Sequence, residues 1–334
     1  MTGAISDEEI RAGCTAIDET LRVRDELEPV RDAVADADRL YLAGCGSSYW
    51  AAVIAGYRFR EADVDATAVH ASDFLFADYL VGESTAVVGY SQSGETEETV
   101  RALDAAATAG ATTVAMTNTA GSRLDERASR SFVTPAGEQE ALFATKTVDA
   151  AVAASYPLAG LVDGRDGDLA AAGRRCRAAL DIDLSPAVET LRDAECAYAL
   201  GTGIEYGLAG ETATKLGEAA VLHATPQPAL EVAHGHVVNV DGDPVVLLAT
   251  RTDAGGAHAN VLSLLRDAGA ETVVIHGPEA EYPADVAVEL PASSRTVLPG
   301  LTVVQRLARE VALARGHDPD FPPGLSDYAS RDLL

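Results

Sequence analysis

Arg39-Leu-Tyr-Leu-Ala-Gly44-Cys-Gly46-Ser47-Ser48 joins a short apolar run to a turn of small residues, and this junction decides the fold. An apolar run closed by glycine reads as a buried strand entering a turn. The alanine-rich stretch from Tyr49 to Glu61 follows it and is long enough for a helix. Further along, Ala86-Val-Val-Gly-Tyr90, Thr112-Thr-Val-Ala-Met116 and Ser131-Phe-Val-Thr134 are similar apolar runs, and Glu95 to Ala109 is a second helical stretch. Strand and helix alternating in this way predict a parallel sheet with helices on both faces.

The plan recurs. Cys196-Ala-Tyr-Ala-Leu-Gly201-Thr-Gly203 matches Tyr41-Leu-Ala-Gly44-Cys-Gly46, with Gly201 standing 157 residues after Gly44, and an alanine-rich helix follows each. Pro244-Val-Val-Leu-Leu-Ala249 and Thr272-Val-Val-Ile275 answer the later strands. Internal duplication is the simplest account. The expected fold is α/β, with two similar subdomains that are each a three-layer αβα sandwich of flavodoxin or Rossmann type. Before them, apolar residues at three- and four-residue steps from Asp7 to Val34 predict an amphipathic helical arm. The expected division is arm 1–37, subdomains 38–182 and 183–316, and a tail 317–334 after a last helix from Leu301 to Ala314.

Lys plus Arg number 25 against 52 Asp plus Glu in 334 residues, a formal charge of −27. Phosphate backbones are bound by clustered cations, so a nucleic-acid partner is not expected. Only Lys146 and Lys215 among the bases are lysines. An acidic, arginine-biased chain that is 47% apolar reads as a folded protein suited to a salt-rich cytoplasm. No stretch reaches the roughly 20 apolar residues of a membrane helix, and MTGAISDEEI lacks the features of a signal peptide. A cytoplasmic protein without a membrane partner is expected, its dispersed Cys14, Cys45, Cys176 and Cys196 being reduced thiols.

Two strand-to-turn segments are rich in small hydroxyl residues: Cys45-Gly46-Ser47-Ser48 and Ser91-Gln92-Ser93-Gly94-Glu95-Thr96. Both fall at carboxyl edges of strands and at starts of helices, where free N–H groups and the helix dipole favour an anion. Hydroxyls at one such place usually cap the helix; two loops on neighbouring strands favour a phosphate cup. No G-x-x-x-x-G-K-[ST] is present. Gly44-Cys-Gly46 and Gly201-Thr-Gly203 each begin a G-x-G-x-x-G, but Tyr49 and Tyr206 take the third glycine's place, which weakens a nicotinamide dehydrogenase reading.

These segments, with Lys215-Leu-Gly-Glu218 and His234-Gly235, resemble the sugar isomerase (SIS) family, and most of all the isomerase half of the glutamine:fructose-6-phosphate amidotransferases. The resemblance runs from about Asp38 to Ser326. It implies two SIS subdomains, a sugar 6-phosphate held by Ser47, Ser48, Ser91, Gln92, Ser93 and Thr96, and a homodimer. It implies Glu218 as the group that moves a proton between neighbouring carbons, a task that suits a carboxylate. Lys215, three residues earlier, shares its helix face. Glu211, Lys215 and Glu218 would equally form a solvated row of ion pairs, although the rarity of lysine speaks for a particular use of Lys215. The resemblance gives His234 the opening of the sugar ring, from across the dimer interface. His234 and His236 alone fall short of a zinc set. No metal or organic cofactor is expected.

Three departures qualify the resemblance. The chain opens on the helical arm rather than a glutaminase domain, so glutamine is not expected to supply nitrogen within it. Asp327 stands where the family's lysine forms an imine, and Gln139 where the family has glutamate. The expected activity is aldose–ketose isomerisation of a hexose or amino-hexose 6-phosphate, including a glucosamine-6-phosphate deaminase variant. The alternatives are a phosphoglucose- or phosphomannose-type isomerase and a non-catalytic sugar-phosphate-binding regulator.

Overall fold

A computed structural model describes residues 3–163, 169–251 and 256–324. The described elements are, in order, α1 (Ala4–Arg22), α2 (Glu28–Ala35), β1 (Arg39–Gly44), α3 (Ser47–Glu61), β2 (Ala66–His70), α4 (Ala71–Phe76), β3 (Thr85–Ser91), α5 (Glu97–Thr108), β4 (Thr112–Thr117), α6 (Arg123–Arg127), β5 (Arg130–Val133) and α7 (Lys146–Asp163). There follow α8 (Ala172–Ala179), α9 (Ser185–Arg192), β6 (Cys196–Gly201), α10 (Ile204–Ala220), β7 (His223–Pro228), β8 (Pro244–Ala249), α11 (Gly256–Asp267), β9 (Glu271–His276), β10 (Val286–Glu289) and α12 (Leu298–Ala314). Two compact units share the chain discontinuously. The amino-side unit takes the described residues of Thr15–Gln139 and Lys146–Ala170; the carboxy-side unit takes those of Met1–Cys14, Glu140–Thr145 and Ala171–Ser330.

The sheet of the amino-side unit runs β2-β1-β3-β4-β5, and that of the carboxy-side unit runs β7-β6-β8-β9-β10. The two orders are the same, and every pairing is parallel. Each is a three-layer α/β sandwich, as the alternation of strand and helix predicts. In the amino-side unit, Tyr41, Ala43 and Val87 pack with Phe74, Val100, Leu103 and Leu124 of α4, α5 and α6. Successive residues of a strand point to opposite faces, so Leu40 and Leu42 serve the other face, where Gly56 of α3 approaches Leu42. In the carboxy-side unit, Val245, Leu247 and Val274 pack with Val261, Leu262 and Leu265 of α11. Each fully buried Leu, Ile or Val contributes about 1.5–3 kcal/mol relative to exposure.

Residues 4–35 form two helices joined by a 3-10 turn. Helix α1 stops at Arg22, a 3-10 turn covers Arg24–Leu27, and α2 restarts with Pro29 in its first turn. Proline lacks an N–H, so it fits a first turn and not a helix interior. The start of α1 is held from far along the chain: Asp318 accepts the N–H of Gly3 at 2.9 Å, and Asp320 those of Ile5 at 2.9 Å and Ser6 at 2.8 Å.

Candidate functional site

In a sheet of order 2-1-3-4-5 the chain turns away in opposite directions after β1 and β3, leaving a crevice at their carboxyl ends. Gly44 pairs with Tyr90 there, so the two hydroxyl-rich loops of the amino-side unit leave from adjacent strands. The first turn is tight: a Cβ on Gly44 would lie 2.7 Å from the carbonyl carbon of Ser48. Gly46 (φ 54°, ψ −130°) then starts α3 at Ser47, a conformation that L side chains disfavour. Ser47 is buried and Ser48 half-buried in the first turn of α3, where the N–H of Ser48 reaches Cys45 O at 3.0 Å and that of Tyr49 reaches Gly46 O at 3.0 Å.

The second loop is built by its own side chains. Ser91 Oγ accepts the N–H of Gly94 at 3.1 Å and lies 3.0 Å from Thr96 Oγ1. Thr96, at the N-cap of α5, thus turns to Ser91 and makes no capping bond. Ser93 Oγ accepts the N–H of Glu95 at 3.2 Å, which leaves the hydroxyl proton to donate outward. The Gln92 carbonyl accepts Asn118 N–H at 3.0 Å and Thr117 Oγ1–H at 3.2 Å. Gly94 sits so close to Ser122 that a Cβ would lie 2.0 Å from its Oγ. Nearby acidic charge is engaged by Arg123, whose N–H reaches Glu95 at 3.0 Å and whose guanidinium reaches Glu97 at 2.7 Å. The structure therefore gathers Ser47, Ser48, Ser91, Gln92, Ser93 and Thr96 at one sheet edge.

Lys215 and Glu218 belong to the carboxy-side unit, on α10. Lys215 Nζ donates to Glu218 Oε2 at 2.8 Å and lies 3.4 Å from Glu211 Oε1. Lys215 and Glu211 side chains are 0% exposed, whereas Glu218 is 29% exposed. The solvated row that the spacing also allowed is thus replaced by a buried ammonium between two carboxylates. Burial opposes the charge on Lys215, but Glu211 and Glu218 outweigh it and raise its pKa above the ordinary value. Phe143 covers the ammonium, its ring centroid 5.6 Å away. The segment carrying Phe143 is anchored by buried Glu9 of α1, which accepts Glu140 N–H at 2.6 Å and Thr145 Oγ1–H at 2.9 Å. Glu9 lay in what the periodicity showed only as a packing arm.

His234 is exposed at the end of the 3-10 turn Ala229–His234, a separate element of the carboxy-side unit. Gln139 accepts a hydrogen bond from Thr147. Asp327 lies outside the described residues. Among the described residues no group of three or more His, Cys, Asp or Glu could hold a metal ion, and no helix is long and apolar enough to cross a membrane.

Residues 33–159 match the family model described as the SIS domain, and this part of the chain is an SIS domain. Over 319 residues the chain is 32% identical to the glutamine–fructose-6-phosphate aminotransferase (isomerizing) of Pyrobaculum aerophilum, a match that covers 90% of this chain and 53% of that protein. The chain spans about half the length of the curated relatives it matches. Among solved structures it resembles the C-terminal domain of glucosamine-fructose-6-phosphate aminotransferase from Francisella tularensis (TM-score 0.86, 23% identity, 95% of this chain and 98% of that one). It also resembles tagatose-6-phosphate ketose/aldose isomerase from Escherichia coli (0.83, 21%, 95% and 95%). A third likeness is to glucosamine-6-phosphate deaminase from Thermotoga maritima (0.77, 21%, 96% and 98%). The chain shares the fold of these three structures.

Proposed function

We propose that this chain interconverts the aldose and ketose forms of a hexose or amino-hexose 6-phosphate. The observation that carries the reading is the state of Glu218: it is the one member of the Glu211–Lys215–Glu218 group with solvent access, and its Oε2 is fixed at 2.8 Å by a buried ammonium. An oriented carboxylate can take a proton from one carbon and return it to its neighbour through a cis-enediol, or an enolamine for an amino sugar. Lys215 acts as its positioning partner. The donors of Ser47, Ser48, Ser91, Gln92, Ser93 and Thr96, with the first-turn amides of α5, hold the phosphate dianion.

In this reading His234 passes a proton to the ring oxygen to open the sugar, and it does so for a second copy of the chain. Its exposure, beside exposed Leu230 and Val238, supports the assignment. No side chain invoked here needs a metal or organic cofactor. Release of ammonia from glucosamine 6-phosphate is the variant that the likeness to the deaminase favours.

The test is to incubate the protein, in concentrated KCl, with fructose 6-phosphate and separately with glucosamine 6-phosphate, following aldose–ketose exchange and ammonia. Exchange is expected, and Glu218→Gln should lower kcat by about 10²–10⁴ while phosphate binding persists. Unaltered turnover in that variant would remove Glu218 from its role. Sugar-phosphate binding with neither exchange nor ammonia would identify a sensor instead. Ser93→Ala should raise KM more than it lowers kcat, since it removes a bond present in ground and transition states alike.

A further inference from the structure

The internal duplication allows the two crevices to be compared atom for atom. Gly203 (φ 62°, ψ −128°) repeats the conformation of Gly46 (φ 54°, ψ −130°). A Cβ on Gly201 would meet the carbonyl of Glu205, as one on Gly44 would meet that of Ser48. The N–H of Tyr206 reaches Gly203 O at 3.0 Å, and that of Tyr49 reaches Gly46 O at 3.0 Å. Glu205 is therefore the counterpart of Ser48. On the neighbouring strands Gly44 pairs with Tyr90 and Gly201 with Leu248. Counting on from those pairs makes Thr250 the counterpart of Gln92 and Arg251 that of Ser93.

At these positions the carboxy-side unit carries a fully buried carboxylate. Glu205 Oε1 accepts the backbone N–H of Arg251 at 2.8 Å and lies 3.4 Å from Thr250 Oγ1. The side chain starts in the first turn of α10 and ends on the loop after β8, linking the two segments whose counterparts form the hydroxyl-rich crevice. From this we infer that the crevice of the carboxy-side unit is an anion cup whose anion is the chain's own Glu205 carboxylate. The chain then offers one external phosphate site, and Glu205 is a positioning residue that ties the loop after β8 to the helix bearing Glu211, Lys215 and Glu218. A buried carboxylate rooted in the first turn of α10 that accepts a main-chain N–H of the neighbouring loop occupies the kind of place that suits a phosphate. This inference rests on the proposed function only for what the other crevice binds.

The experiment counts inorganic phosphate bound per chain by calorimetric titration in concentrated KCl. Glu205→Ser, which restores the hydroxyl found at Ser48, should bind one more phosphate per chain than the unaltered protein, and the gain should persist in a Ser91→Ala/Ser93→Ala background. A folded Glu205→Ser chain with no added site overturns the inference. If the unaltered protein binds none while the variant gains one, the assignment of the first crevice fails and this one stands. Should Glu205→Ser not fold, Glu205→Gln keeps shape and acceptor while removing charge. The amide proton of Arg251 should then move upfield, because a carboxylate acceptor deshields it more than an amide does. An unmoved Arg251 resonance overturns the inference.

Discussion

A thiol that donates to a carboxylate keeps its proton, because the thiolate would face a like charge. Cys196 Sγ–H points at Asp243 Oδ2 at 3.0 Å, and this bond, with burial and the charge of Asp243, pushes the thiol up to about 11. At pH 8 the thiolate fraction is correspondingly small. Alkylation of Cys196 by iodoacetamide at that pH should be slower than in Asp243→Asn, as followed by peptide mass spectrometry; equal rates would contradict the pairing. Residue identities at the candidate sites were legible because rarity and motif context single out Lys215, Glu218 and Ser91 to Thr96. The burial of Glu211 and Lys215 was less so, since three- and four-residue spacing is the same for a solvated row. The composition of α10 held the missing signal: apart from Glu205, Glu211, Lys215 and Glu218 it is small or apolar nearly all round, and such a helix is buried. Glu205 was legible only through its counterpart, Ser48.

Strands were legible where the sheets are deepest. The central runs at β1, β3, β4, β6, β8 and β9 stand out in the sequence because both faces are covered and nearly every residue is apolar. Three edge strands, β2, β7 and β10, do not stand out. In His223-Ala-Thr-Pro-Gln-Pro228 two prolines suit only an edge. Another element-scale feature, the distant cap on α1, has no local signature at all. Burial acts to raise the Asp320 pKa, but bonds from Ser6 and from the first amides of α1 prevail and lower it below the usual carboxylate value. Its contribution is therefore present above the carboxylate's unfolded pKa, near 3.9, and is lost as pH falls through the lower folded value. Asp320→Asn should destabilise the protein by about 0.5–2 kcal/mol at pH 7, and its urea midpoint should converge on that of the unaltered protein as pH falls through the folded value. A gap that widens in acid would contradict this sign.

At the scale of the molecule, charge and connectivity dominate. A formal charge of −27 opposes compaction through self-repulsion, and molar salt shortens the screening length to about 3 Å. The thermal midpoint should rise steadily between 0.1 and 3 M KCl; a midpoint independent of salt would show that the acidic surface imposes no such demand. Duplication and layer order were legible at this scale because the strand–turn–helix pattern repeats. The interleaving of the two units was not, since it depends on where short segments such as Glu140–Thr145 pack. One consequence concerns birth on the ribosome. Gly3 and Ile5 are synthesised before the aspartates that secure them, which follow 315 residues later. At roughly 5–20 residues per second, the nascent opening helix waits on the order of tens of seconds for its clasp.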